Sequence, residues 1–473
     1  MFAAFSALSA RGRGAARLAA ATLASGLAAA TVLAGTAAAA PAADTAAPSQ
    51  GGATATIGGL KTYGGAVVHT DSGDQEISAG LFEMSVDGGG MLQTYCVDIH
   101  NPTQRDAKYH ETPWSGTSLG ANPDAGKIRW ILQNSYPQVN DLAALAAKAG
   151  FKGGLTEQDA AAGTQVAIWR YSDGVEVDAV DPQAEKLADH LEKSARGVAE
   201  PEASLTLEPP AVSGHAGERL GPVTVRTDAD GVTLTPPADA ATSGVRIVDK
   251  DGKVVTTAAN GAQVFFDVPD DAADGQAELT VQASTTVPVG RAFAAESRSQ
   301  TQILAGSSES TVSATASATW AESGAIPALS AAENCDKGGV DITAANEGDA
   351  PFTFELLGIE YSIAAGESRT VTVPLQEDQA YDFTIEGPGF EKRFTGVLDC
   401  MTQAGEADAA GTVTQTLDEP SPATVGSASD DTNLAATGGS SMTPLIAGVA
   451  IGFVVLGGAA LVIVRKREAS AQD

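Results

Sequence analysis

Met91-Leu92-Gln93-Thr94-Tyr95-Cys96-Val97-Asp98-Ile99 reads as a β-strand, set off from a second strand-like run, Leu81–Val86, by Gly88-Gly89-Gly90. Side chains on a strand alternate between its faces, so Leu92, Thr94, Cys96 and Asp98 share one side. A shorter run, Ala66–Val68, precedes them. Helical spacing follows: Ile128, Ile131, Leu132 and Ser135 step as i, i+3, i+4 and i+7. Thr156 with Asp159 three residues on predicts a capped helix start. Asp181-Pro182 opens another helix, with Ala184, Leu187, Ala188 and Leu191 on one face and a stop near Gly197. Residues 57–197 therefore predict a mixed α+β domain, and with Trp114, Trp130 and Trp169 they hold most of the tryptophan available to pack a core.

Downstream the pattern changes to alternation. Val223-Thr224-Val225, Val232-Thr233-Leu234 and Leu279-Thr280-Val281 predict half-buried strands within a module at 201–315, and Asp251-Gly252 between Val248 and Val254 predicts a hairpin. A second β module is expected at 333–401, from Phe352-Thr353-Phe354, Thr370–Val373 and Tyr381–Ile385. Strand spacing suggests an immunoglobulin-like sandwich for each. Cys335 and Cys400 bracket the second module and are the natural disulfide pair of an oxidising compartment. Residues 41–56 and 403–433 are rich in small and polar residues and read as linkers; the second would reach roughly 100 Å when extended.

Both ends read as addresses. Arg11, Arg13 and Arg17 precede an apolar stretch from Leu18 to Gly35 and small residues through Ala40, the pattern of a secretory signal over 1–40. At the other end, Pro444 to Val464 carries no charge and is followed by Arg465-Lys466-Arg467. That run is long enough to span the roughly 30 Å of a bilayer core as a helix, with its basic tail on the cytoplasmic side. Leu434-Ala435-Ala436-Thr437-Gly438 lies just before it. Pentapeptide, apolar helix and basic tail over 434–473 resemble a sortase sorting signal of the Leu-Ala-x-Thr-Gly variety of Gram-positive actinobacteria. The resemblance implies cleavage between Thr437 and Gly438, transfer to peptidoglycan, and a cell-wall-anchored surface protein whose precursor sits in the plasma membrane.

The chain has 473 residues, 59 Asp+Glu against 28 Lys+Arg, and a formal net charge of −31. Phosphate-binding proteins need a basic face, so nucleic acid is excluded as a partner. At 43% hydrophobic and 18% charged the composition is not that of a disordered polyelectrolyte. No His/Cys group has metal-ligand spacing, and no cofactor motif is present, so neither metal nor cofactor is expected.

Cys96 and Gln165 are the two anomalies. With Cys335 and Cys400 paired, Cys96 is an odd thiol on an exported chain, where a free thiol invites oxidation. Gln165 shares the apolar face of the Ala-rich helix after Thr156 with Ala161, Thr164 and Ile168. A buried amide must find partners or cost about 1–3 kcal/mol. Each residue alone reads as a buried small hydrophobe or a hydrogen-bonded core amide. Together they suggest a cross-link. Attack of the sulfur on the Gln165 carbonyl, with loss of ammonia, removes both the free thiol and the buried NH₂.

Tyr95-Cys96-Val97, Leu132-Gln133-Asn134-Ser135-Tyr136 and Thr164-Gln165-Val166-Ala167-Ile168-Trp169 occur in that order. They resemble the three motifs of the thioester domains of Gram-positive surface adhesins: aromatic-Cys-apolar, apolar-Gln-x-x-apolar, and Thr-Gln-x-Ala-apolar-Trp. By that resemblance Cys96 supplies the sulfur, Gln165 the acyl group, and Gln133 a supporting position. The implied function is covalent capture: an amine, or a hydroxyl, of a partner takes the acyl group in a single turnover, which is binding rather than enzymatic catalysis. His100 and Asp98 are the nearby candidates for a local base. A cysteine hydrolase built on Cys96 is disfavoured, because no nucleophile signature surrounds it. The alternative is a wall-anchored binding or spacer protein that makes no covalent bond.

Overall fold

The computed structural model describes residues 44–46, 51–387 and 390–401. The expected signal (1–40), the linker (403–433) and the sorting segment with its helix (434–473, 444–464) lie outside them. Among the described residues no helix is long and apolar enough to cross a membrane.

Strands Thr54–Thr70, Gly73–Val86, Met91–Cys96 and Lys108–Thr112 form where the alternation is clearest, and their inward residues, Ile57, Phe82, Met84, Leu92 and Tyr109 among them, are buried. They do not close a sheet by themselves. The sheet order is Gly73–Val86, Met91–Cys96, Gln302–Ser307, Ala292–Ala295, Lys108–Thr112, Thr54–Thr70, Val177–Ala179, and Gly73–Val86 also pairs with Thr54–Thr70. Six strands thus make a closed ring, a barrel with no free edge. Two of its staves come from residues 292–307, more than 90 residues beyond the expected end of this domain at 197.

Those two staves are the tip of a long excursion. Strands Gly275–Thr286 and Glu309–Ala321 pair along their full lengths in another sheet, and the chain between them leaves that sheet to enter the barrel. The rest of 205–321 forms a five-stranded and a four-stranded sheet over a core that includes Val223, Val225, Leu234, Phe266, Leu279 and Val281. The module expected at 201–315 is therefore β as its alternation requires, but 292–307 belongs to the barrel. Local alternation specifies a strand and cannot say which sheet takes it.

A buried ion pair fastens the excursion to the barrel. Arg291 donates from Nε to Glu111 Oε1 at 2.9 Å and from a terminal nitrogen to Glu200 Oε1 at 2.8 Å. Glu111 also accepts from the Ala53 and Ser204 amides. With the Glu111 side chain 0% and that of Arg291 4% exposed, this is a fully paired charge set, which is how buried charges persist.

Five helices lie between Ser118 and Ser194. Helix Glu157–Ser172 starts with the expected capping box of Thr156 and Asp159, and helix Pro182–Ser194 with Asp181 as its cap and Pro182 in its first turn. The first is buried on nearly all sides between the barrel and the second. At Gly163 an added Cβ would stand 2.4 Å from the Ala184 carbonyl oxygen, so glycine sets how closely the two helices approach.

The last part of the chain has its own core, built on Val340, Ile342, Phe352, Phe354, Ile385 and Phe394. Cys335 and Cys400 form its disulfide, with Cα atoms 5.1 Å apart and 65 positions apart in sequence.

Candidate functional site

Cys96 ends the strand Met91–Cys96 and is a free, buried cysteine at 0% exposure. Two glutamines, also at 0%, converge on it from opposite elements. Gln165 comes from the helix Glu157–Ser172. Its Oε1 accepts from the Cys96 amide at 3.0 Å, and its Nε2 donates to the Cys96 carbonyl at 2.9 Å. Both ends of that amide are spent on the backbone of Cys96, at a strand end where the ladder stops supplying partners.

Gln302 comes from the excursion. It stands directly opposite Cys96 in the antiparallel register. The neighbouring Val97 amide donates to the Thr301 carbonyl, so Cys96 and Gln302 occupy a non-hydrogen-bonded pair, the kind whose side chains approach most closely. Gln302 Nε2 lies 3.2 Å from Cys96 Sγ, and its Oε1 accepts from Thr94 Oγ1 at 2.9 Å. The amide in contact with the sulfur is therefore that of Gln302. The sequence reading takes Gln165 as the acyl donor; in the structure both ends of its amide are hydrogen-bonded to the Cys96 backbone, and Gln302 is the amide that meets the sulfur.

Gln133 is exposed on the helix Ala125–Asn134, outside the buried group. Thr437 and Gly438 lie outside the described residues. Cys335 and Cys400 are bonded as expected.

The surroundings are polar but dry. Burial pushes the Cys96 thiol above its ordinary range, opposed by hydrogen bonds from Gln302 and Thr103, with Asp173 and Asp98 adding to the rise. Asp98 is itself pushed up to about 6, chiefly by burial, against the stabilising amide of His100 and the Asn101 side chain. Asp173 is raised by burial and by Asp98, and Asp399 likewise. His100, the other expected base, has a buried Nε2 without a hydrogen-bond partner. Asp399 arrives from beside the disulfide and accepts from Thr301, the residue next to Gln302. Among the described residues no group of His, Cys, Asp or Glu could hold a metal ion.

As a plain thiol, a buried cysteine with a raised pKa is inert. What this arrangement offers instead is proximity: a sulfur held against one primary amide, its backbone fixed by another, in a site from which water is excluded.

Sequence reasoning missed Gln302 although a signal was present. Gln302-Ile303-Leu304-Ala305 puts a lone amide at the head of an apolar run, the same anomaly that marked Gln165. Thr94, Thr103 and Asp399 carry no such mark.

Comparison with known proteins agrees with the first part of this site. Residues 93–197 match the thioester domain family, and residues 323–397 match the C-terminal domain of bacterial phospholipase C. No curated protein matches. Among solved structures, the chain is similar to the Bacillus anthracis TIE protein at 14% identity and TM-score 0.25, over 73% of this chain and 63% of that one. It is also similar to the thioester domain of the Enterococcus faecium TIE86 protein at 15% identity and TM-score 0.28, over 60% of this chain and all of that one. TM-scores of this size establish no shared fold. The family match ends at 197, so it contains Cys96 and Gln165 but not Gln302.

Proposed function

We propose that this chain is a surface adhesin that captures its partner covalently through an internal thioester between Cys96 Sγ and Gln302 Cδ. The observation that carries the proposal is the 3.2 Å approach of the Gln302 amide to the sulfur of a free, buried cysteine. The thioester domain match over residues 93–197 supports a thioester at Cys96.

Formation balances as an exchange. The sulfur adds to Gln302 Cδ, the C–S bond forms, the C–N bond breaks, and the amide nitrogen leaves as ammonia with the thiol proton. Gln165 acts on geometry, holding the Cys96 backbone from both sides so that the sulfur keeps its aim. Alignment of this kind is worth effective molarities of about 10⁵ M and above. Capture reverses the exchange with a new nucleophile: a partner's amine adds to Cδ, the sulfur leaves as a thiol, and an isopeptide bond remains on Gln302. A hydroxyl would give an ester. Burial shields the thioester from water, and the partner must displace part of the cover to reach it. The reaction occurs once per molecule.

The signal-like N-terminus and the Leu434–Gly438 pentapeptide with its apolar and basic tail support a cell-wall location in this reading, with anchoring through Thr437 by a sortase. The acidic surface disfavours anionic partners.

Intact mass of the exported chain tests the reading. The expected result is a deficit of one ammonia beyond that due to the disulfide, no alkylation of Cys96 under native conditions, and uptake of a small primary amine with release of one thiol. Full mass with a freely alkylated Cys96 after mild opening would leave the alternative, a non-covalent wall-anchored binding protein.

A further inference from the structure

Two polar side chains, Thr103 at the sulfur and Gln300 behind it, have no role in that exchange, on which this inference rests. Thr103 follows the Cys96 strand and is 6% exposed, and Gln300, two residues before Gln302, is 1% exposed. Gln300 Nε2 donates to Thr103 Oγ1 at 2.6 Å. With that lone pair taken, the Thr103 hydroxyl is left to donate to Cys96, with which it makes a hydrogen bond. The other end of the Gln300 amide, Oε1, is buried and has no partner. Buried amides in native proteins are seldom left half-paired. An open acceptor one hydroxyl away from a reactive sulfur suits a donor that arrives with the reactant.

We propose that Gln300 and Thr103 form the polar wall of a primary-amine site: Gln300 Oε1 accepts one N–H of the attacking amine, and Thr103 donates to Cys96 Sγ as it leaves. The amine nitrogen bonds to Gln302 Cδ, the C–S bond breaks, and its electron pair stays on sulfur. One amine proton ends on that sulfur, which restores the thiol, and the second remains on the new amide. A thiol nucleophile attacks as its thiolate and brings no N–H, so it uses Thr103 but not Gln300.

The two roles separate by nucleophile. The full exported chain is treated with methylamine or with 2-mercaptoethanol, and the loss of the ammonia-deficient species is timed by intact mass. Gln300→Met should keep the ammonia deficit, slow opening by methylamine about tenfold, and leave opening by 2-mercaptoethanol within about twofold of wild type. Where Met is not tolerated, Gln300→Asn withdraws the oxygen and carries the same expectation. Thr103→Val should slow both nucleophiles by a similar factor, and Thr103→Ser should restore both. The same fold-change relative to wild type for both nucleophiles in the Gln300 variants, including no change, would overturn the amine site, and an unaltered Thr103→Val would overturn the leaving-group role. A wild-type chain of full mass would sink the thioester reading itself, and this inference with it.

Discussion

Helix Glu157–Ser172 and the excursion 292–307 each bring one glutamine to Cys96, and they do so by different physics. The helix presents Gln165 from a continuous, capped element whose neighbours along the chain are its neighbours in space. It reads the backbone of Cys96 at two points. The excursion presents Gln302 from a strand that belongs by sequence to one sheet and by pairing to another, and it meets the side chain. In the thioester we propose, Gln165 aims the sulfur and Gln302 receives it. The glutamine that meets the backbone lies within the run of helices that follows the Cys96 strand, whereas the one that meets the sulfur arrives by long-range strand pairing.

The sharpest way to break that contrast is to remove each glutamine in turn. Gln302→Leu should abolish the ammonia deficit completely, as should Cys96→Ala, while the fold persists. Gln165→Leu should lower the yield or rate of thioester formation without abolishing it. It should also destabilise the chain by about 1–3 kcal/mol, because the Cys96 amide and carbonyl lose their partners inside a dry site. If Gln165→Leu abolishes the deficit and Gln302→Leu leaves it, the roles are reversed.

Next in size is the anchoring of the excursion. Arg291→Met leaves the Glu111 carboxylate buried and unpaired, and should cost about 3–5 kcal/mol in chemical denaturation. If the excursion delivers Gln302, the thioester yield falls with stability. A stable variant with a normal yield would mean the barrel holds the excursion without this ion pair. The disulfide constrains the other end of the region. Opening Cys335–Cys400 should cost about 4 kcal/mol by the loop-entropy account, seen as a lower midpoint for the last module.

The smallest effect is on pH dependence. Asp98 is raised to about 6, and Glu333 and Glu377 to about 7, mainly by burial. The folded state therefore holds these protons more tightly than the unfolded chain. Their contribution is most favourable below the ordinary carboxylate range and is lost as pH rises from about 4 towards 7. Thermal unfolding should show a midpoint that declines across that window. Asp98→Asn should flatten the decline and recover about 1–2 kcal/mol at neutral pH. A midpoint that rises from pH 4 to 7 would contradict the burial of these groups.

Much of the fold could be read from local pattern, for reasons visible in single residues. Thr156 and Asp159 close a capping box within four positions, Asp181 and Pro182 start a helix by adjacency, and Cys335 and Cys400 bracket one module, which marks them as the pair. The barrel's closure was not legible. Ala292–Ala295 and Gln302–Ser307 are short and lack the alternation of the strands that flank them, and only pairing decides which sheet they join. The site divided along the same line. Cys96 is marked by its oddness, whereas the lone amide of Gln302 at the head of an apolar run could be tied to Cys96 only once Met91–Cys96 had a partner strand.

The most direct measurement is peptide mapping of the exported chain after trapping with an isotopically labelled primary amine. The account predicts the label on the side chain of Gln302 with Cys96 recovered as a free thiol. Label on Gln165, or none alongside a chain of full mass, would contradict it.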